Sequence, residues 1–426
     1  MKIVRTAGRQ AAAAREAIAA LTDRRAAPWE RVLPQARRIV ESVRRGGDPA
    51  LLRLRSRFDR IPPQTPLRIP QVELQLAWES TAAPVQQALR TAARNVRAFA
   101  ARQRPKDFNM TPAPGVTTGQ RVIPFASVGC YVPSGRYPLP STLLMTAIPA
   151  QVAGVERIVA VSPNPAKETL AAAFLLGITE FYRIGGAHAI AALAYGTQSI
   201  SRVDKIVGPG NAWVTAAKKL VAFDCSIDML AGPTEAVVAS ETGDPVMIAA
   251  DLVAQAEHDP DALALFITTQ GALAQSVVTE VKSRAKGNAI ATAAITNHGL
   301  AVVTRSTDEA HDLTNRIAPE HLTVDSAADL AWVRNAGSVF VGRWSAQPLG
   351  DYVSGPNHTL PTAGLARSRG GLSVVDFVKL VTVQEYSRSG VQQFGHAALR
   401  LADAEGLTAH AEAIRARGVE KGGARD

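Results

Sequence analysis

The stretch Phe181 to Val221 reads FYRIGGAHAIAALAYGTQSISRVDKIVGPGNAWVTAAKKLV, and its grammar decides the fold class. Phe181 to Ile184 is strand-like, Gly185 and Gly186 follow, and Ala189 to Tyr195 then reads as a helix. The unit repeats at once. Lys205 to Val207 is strand-like, Gly208-Pro-Gly-Asn211 turns the chain, and Val214 to Val221 reads as a helix. Short apolar runs alternating with helical runs are βαβ units, which need a parallel sheet with helices on its faces. The fold class is therefore α/β.

The same pattern extends outward. Upstream, Ala126 to Val132 and Arg157 to Val161 are strand-like, the latter closed by Ser162, Pro163 and Pro165, and Glu168 to Leu176 is helical. Downstream, Ala236 to Ala239, Ala262 to Thr268 and Ser338 to Val341 are strands. Between the first two of these, Pro245 to His258 reads as a helix, with Asp244 as N-cap and proline in the first turn. Two successive βαβ blocks predict two similar subdomains. The first part of the chain, to about Thr117, reads as helical. Val32, Ala36, Ile39 and Val43 fall at helical spacing, and Gly46 to Pro49 stops that helix and caps the next. Thr81 to Arg102 is a further long helix. Met1 to Pro28 is rich in Ala and Arg, but Glu16 and Asp23 argue against a transit peptide. Ala17, Ile18 and Leu21 make a helical stripe, so this segment is a surface helix or arm. Gln392 to Arg417 is helical and polar on one face, and reads as a tail or docking arm.

Composition bounds the function. A chain of 426 residues, 46% of them apolar, builds a sizeable core in more than one subdomain. No run approaches the roughly 20 apolar residues of a membrane span, so no membrane partner is expected. The net charge of +10 comes from scattered arginines rather than a Lys/Arg block, and aromatic residues are few. Nucleic acid is not an expected partner. Cys130 and Cys225 make no disulfide framework, which fits a reducing, cytoplasmic setting. A thiolate at Cys130 could attack an aldehyde, but its strand-like setting reads as a buried thiol.

Three clusters carry chemistry. Gln255 and His258 are three apart near the end of a helix, whose negative pole favours a cation; a surface histidine is the plain alternative. Pro260 places His258 in the last turn. Ala318-Pro-Glu-His321 sets an acid beside an imidazole, which suits proton transfer, although proline before glutamate also marks an ordinary helix start. Gly350-Asp-Tyr352 and Gly355-Pro-Asn-His358 present an acid and a histidine on glycine-rich loops, as plain turns also do. Gly208 to Asn211 could face a phosphate or simply turn the chain. Glu405 and His410 stand in the tail. Together Gln255, His258, Asp351 and His410 offer N and O donors without thiolate, which suits zinc, manganese or cobalt.

These residues sit in long motifs. They include Gly129-Cys-Tyr-Val-Pro133, Gly185-Gly-Ala-His-Ala-Ile-Ala-Ala-Leu-Ala-Tyr-Gly-Thr197, Asp228-Met-Leu-Ala-Gly-Pro-Thr-Glu235, Gln255-Ala-Glu-His258, Ala318-Pro-Glu-His-Leu322, Gly355-Pro-Asn-His-Thr-Leu-Pro-Thr362 and Glu405-Gly-Leu-Thr-Ala-His410. From about Glu30 to Arg417 the chain resembles histidinol dehydrogenases. The resemblance implies two Rossmann-like parallel-sheet domains, a helical N-terminal part and an extended helical C-terminal tail. It divides the chain into an arm (1–28), a first domain (29–128 plus 236–380), a second domain (129–235) and a tail that forms a dimer arm (381–426).

The resemblance also implies roles. Gln255, His258 and Asp351 would hold one zinc per subunit, completed by His410 of the partner subunit in a homodimer. Glu320 and His321 would be the acid–base pair. Thr234, His358 and Glu405 would hold the substrate, with Gln255, His258, His321, Asp351 and His410 also in contact. Tyr131, His188 and Asn211 would line an NAD site. The implied reaction takes L-histidinol to L-histidine through L-histidinal in two hydride transfers, the last steps of histidine biosynthesis. The alternative is a related zinc and NAD dehydrogenase of another small polar alcohol, such as a sulfonated propanediol. Four positions depart from the family pattern: Ser134 for glycine, His188 for glutamine, Thr234 for serine and Leu139 for tyrosine.

Overall fold

The computed structural model describes residues 1–22, 29–134 and 137–419, so the end of the expected arm at 23–28 lies outside the described residues. Two compact units divide the chain: residues 1–103 with 126–377, and residues 104–125 with 378–426. The strands, in chain order, are β1 (Lys2–Arg5), β2 (Phe108–Ala113), β3 (Val116–Pro124), β4 (Ser127–Tyr131), β5 (Arg157–Val161), β6 (Glu180–Tyr182), β7 (Lys205–Val207), β8 (Ser226–Ile227), β9 (Glu235–Ala239), β10 (Leu263–Thr268), β11 (Leu300–Val303), β12 (His321–Val324), β13 (Ser338–Val341) and β14 (Val378–Tyr386).

The first unit holds two parallel sheets. The small one runs β6-β5-β4-β7-β8 and the large one β1-β11-β10-β9-β12-β13. With β9 set against β4, the two orders coincide, and β1 is an added edge. Both sheets are doubly wound. In the large sheet Ala236, Val238, Ala264, Phe266, Ala301 and Val303 pack into one core cluster. Their alternates Val237, Leu263, Leu265, Ile267, Leu300 and Val302 pack into another on the opposite face. Strands with mostly apolar residues buried on both faces are what a parallel sheet requires. Each fully buried Leu, Ile or Phe contributes about 1.5–3 kcal/mol. On the small sheet, helices Gly186–Tyr195 and Ala212–Val221 share a cluster with Trp29–Leu54.

Several expectations are corrected. Helix ends at Gln103 and not near Thr117, because residues 108–124 form the hairpin β2–β3. The first helix does not stop at Gly46–Pro49 but kinks there: Gly47 adopts φ +52°, and helix resumes to Leu54. The helix begun by Pro245 ends at Ala256, with Glu257 as its cap, so His258 lies just past the last turn. Pro319 and Glu320 open no helix; they join the helix Thr307–Ile317 to β12. The arm gives β1 to the large sheet, and its stripe at Ala17, Ile18 and Leu21 packs into the sheet's core.

In the second unit β14 pairs antiparallel with β3, from Val378 opposite Pro124 to Tyr386 opposite Val116. Both faces of β14 are exposed beyond Val378. Helices Arg388–Ala404 and Thr408–Arg415 meet through Leu399, Ala402 and Ala411, with Gly406 at φ +71° turning the chain between them. Among the described residues no helix is long and apolar enough to cross a membrane.

Candidate active site

The small sheet supplies a turn of glycine. β4 lies between β5 and β7, where successive connections leave in opposite directions. Open parallel sheets receive ligands at that switch point, beyond the carboxyl ends of the strands. Tyr131 ends β4 and Gly208 follows β7 there. Gly208 has φ +114°, and a Cβ on it would run into the Tyr131 carbonyl oxygen, so only glycine fits. Asn211 caps the next helix, its Oδ1 accepting from the amides of Trp213 at 3.0 Å and Val214 at 3.2 Å. Beneath the turn, Asp228 Oδ2 accepts from Gly208 N at 2.7 Å and the carboxylate pairs with the buried Lys218 ammonium. Tyr131 accepts from Gly186 N at 3.1 Å, and burial pushes its phenol up to about 12.

His188 is buried near the start of the helix Gly186–Tyr195. Its Nε2 stands 2.8 Å from Asp59 Oδ2, which also accepts from Gly185 N at 3.0 Å. Asp59 was not expected at a site. In sequence it closes a charged run, Arg55-Ser-Arg-Phe-Asp59, and only tertiary folding brings it to β6.

The large sheet supplies the opposite edge. Thr234 precedes β9 and Glu320 precedes β12, and the pairing of His321 with Ala236 sets them level. The helix Pro245–Ala256 runs back from the far edge and delivers Gln255 to the same place. Glu320 Oε2 accepts from Thr234 Oγ1 at 2.6 Å and from Glu235 N at 2.9 Å. Gln255 donates to Thr234 Oγ1 and lies 3.4 Å from His321 Nδ1. His321 Nε2 lies 3.3 Å from Asp351 Oδ1, and its Nδ1 3.8 Å from Glu320 Oε2. His358 Nδ1 donates to the Asp351 carbonyl at 2.7 Å, which leaves Nε2 as the acceptor in a neutral ring.

Electrostatics separate these groups. Burial pushes the Glu320 carboxyl above its ordinary range, against the opposing pull of His321 and the Thr234 hydrogen bond. Burial would lower His321, but the Asp351 hydrogen bond and the charges of Glu320 and Asp351 outweigh it and raise it. Burial would raise Asp351, but the His321 hydrogen bond and charge outweigh it and hold it low. Burial lowers His358. A buried carboxyl and imidazole of raised proton affinity, joined through a hydroxyl and an amide, are suited to accept protons from a substrate.

One cavity of about 830 Å³ joins the two edges. Tyr131, His188, Asn211, Thr234, Gln255, His258, Glu320, His321, Asp351 and His358 all line it. Glu405 and His410 belong to the second unit, where both are exposed. Among the described residues no group of three or more His, Cys, Asp or Glu is placed to hold a metal ion. Cys130 is fully buried, and burial pushes its thiol up to about 12, as its strand setting suggested.

Known proteins resemble this chain over nearly its whole length. The family profile described as histidinol dehydrogenase matches residues 22–418. A histidinol dehydrogenase of Methanothermobacter thermautotrophicus is 44% identical over 414 residues, covering 94% of this chain and 96% of that protein. One of Geobacillus kaustophilus is 47% identical over 397 residues, covering 90% and 93%. The crystal structure of the Elizabethkingia anophelis histidinol dehydrogenase superposes with a TM-score of 0.87 at 35% identity, over 91% of this chain and 92% of that one. The chain belongs to the histidinol dehydrogenase family and is an oxidoreductase of the α/β class.

Proposed function

We propose that this enzyme oxidises L-histidinol to L-histidine through L-histidinal, with NAD as acceptor in both steps and one zinc ion per subunit. The observation that carries the reading is the linked set Thr234, Gln255, Glu320, His321 and Asp351, gathered in one cavity with a glycine turn at its other wall. In the first step His321 takes the alcohol proton as the carbon loses hydride. In the second, water adds to the aldehyde and Glu320 takes its proton. Glu320 is suited to this because Thr234 and Glu235 occupy its Oε2, while no described residue hydrogen-bonds its Oε1. General acid–base help of this kind contributes about 10²–10⁴-fold. When bound, NAD supplies the hydride acceptor.

The donors fit zinc by their chemistry. Gln255, His258 and Asp351 bring an amide, an imidazole and a carboxylate to the same cavity. His410 of the partner subunit would complete the set, and Glu405 of the partner subunit would help hold substrate. When bound, zinc supplies a fixed charge that orients the amine and imidazole of the substrate. A homodimer suits the second unit, whose β-sheet exposes Phe108, Met110, Leu380, Val381 and Val383. Family membership favours histidinol over the sulfonated propanediol.

The test is NADH formation from L-histidinol, with and without a chelator. Two NADH per histidinol, lost on chelation and restored by zinc, are expected. No NADH from L-histidinol, with turnover of another diol, would overturn the substrate reading. Activity untouched by a strong chelator would overturn the metal.

A further inference from the structure

The cavity has a polar group at its far end that the reaction does not use. Asp59 closes the π-helical turn Arg55–Asp59, and its side chain is only 7% exposed yet lines the cavity. Oδ2 is fully engaged by Gly185 N and His188 Nε2. No described residue hydrogen-bonds Oδ1. A buried carboxylate with one oxygen held by the fold and the other open to a cavity is an oriented acceptor. Arg55, which opens the same turn, is fully buried and donates to the Thr65 carbonyl at 2.8 Å.

Position along the sheet says which part of a ligand Asp59 meets. Hydride leaves the substrate beside Glu320 and His321, so the nicotinamide end of the cofactor belongs there. The glycine turn after β7 comes next, and Asp59 stands at Gly185, beyond the edge strand β6. Gly186 N, next to Gly185, lies 3.1 Å from the Tyr131 hydroxyl, while Gly208 packs against the Tyr131 carbonyl, so a single tyrosine spans the two. That span suits the short step from a diphosphate to the adjoining adenosine ribose. In dinucleotide folds an acidic residue commonly accepts from the adenosine ribose and excludes a 2′-phosphate. Here no acid ends the second strand of the small sheet: β5 ends at Val161, followed by Ser162.

We propose that Asp59 selects the cofactor, its Oδ1 accepting an adenosine-ribose hydroxyl and its charge rejecting a 2′-phosphate. The residue arrives from the N-terminal helical segment rather than from the sheet, and His188 with Gly185 holds it in place. The proposal rests on the NAD reading above.

The experiment compares NAD with NADP in the zinc-loaded enzyme and in its Asp59→Asn variant. In the unaltered enzyme NAD is preferred. In the variant KM for NAD rises about 10–100-fold, the loss of one charge-assisted hydrogen bond. There kcat falls far less than kcat/KM, and the preference over NADP shrinks by at least about tenfold. An unchanged NAD to NADP ratio in the variant overturns the proposal while the NAD reading stands. Reduction of neither cofactor by the unaltered enzyme overturns both. Should the variant fold poorly, 2′-deoxy-NAD and 3′-deoxy-NAD are tested on the unaltered enzyme. At least one then shows a KM raised about tenfold or more, and KM values equal to that of NAD for both overturn the assignment.

Discussion

In the small sheet the crevice beside β4 opens onto glycine; in the large sheet the crevice beside β9 holds carboxylates of the chain itself. The strand orders are the same, so topology creates both crevices. Beyond β9 and β12, Asp325 Oδ2 accepts from Glu241 N at 2.8 Å and Thr242 N at 3.2 Å, and Ser240 donates to Oδ1. Glu241 in turn accepts from Thr269 N at 2.9 Å. These amides lead into the helix Pro245–Ala256, where a ligand anion would otherwise be received. The large sheet has spent its switch point on itself and works from the opposite edge, at Thr234 and Glu320. Fold alone therefore does not place a site; the side chains at each strand end do.

The largest effect expected from this contrast lies at that opposite edge. Glu320→Gln and His321→Gln should each lower kcat by about 10²–10⁴-fold, with little change in Tm. Near-normal turnover in both would remove the chemistry from the large sheet. Closing the open crevice comes next. Gly208→Ala sets a Cβ against the Tyr131 carbonyl at positive φ, and should destabilise by at least about 2 kcal/mol in denaturant titration. An unchanged midpoint would mean the turn is slack.

Unplugging the sealed crevice is milder. Asp325→Asn should cost about 1–2 kcal/mol of stability while kcat is retained. If the freed amides make an anion site, phosphate will raise the Tm of the variant more than that of the parent; equal shifts would refute the plug. The smallest effect is expected at Cys130. Burial pushes this thiol up to about 12, so the neutral form dominates and at pH 8 only about one molecule in ten thousand carries thiolate. Cys130→Ala should keep turnover, and alkylation should leave the folded enzyme unlabelled until the pH nears that value.

Sequence and structure agree where burial is regular. Arg157–Val161, Lys205–Val207 and Ser338–Val341 are strands at the bounds the apolar runs suggested. β14 was not legible because it is exposed on both faces, so no alternation marks it. β12 was not legible because Pro319-Glu320 has the look of a helix start, although Ala318 turns left-handed there at φ +51°. At the site, short motifs exposed Gln255, His258, Glu320, His321 and Asp351. Asp59 stayed hidden because its partners, Gly185 and His188, are more than a hundred residues away.

The Lys218–Asp228 pair beneath the glycine turn carries one more consequence. Its side chains are 3% and 1% exposed, so little solvent reaches the pair. Screening acts over about 8 Å at physiological ionic strength, but through solvent. Surface pairs such as Arg45 with Glu41 will fade as salt is added. The turn will hold its shape from dilute buffer to brine.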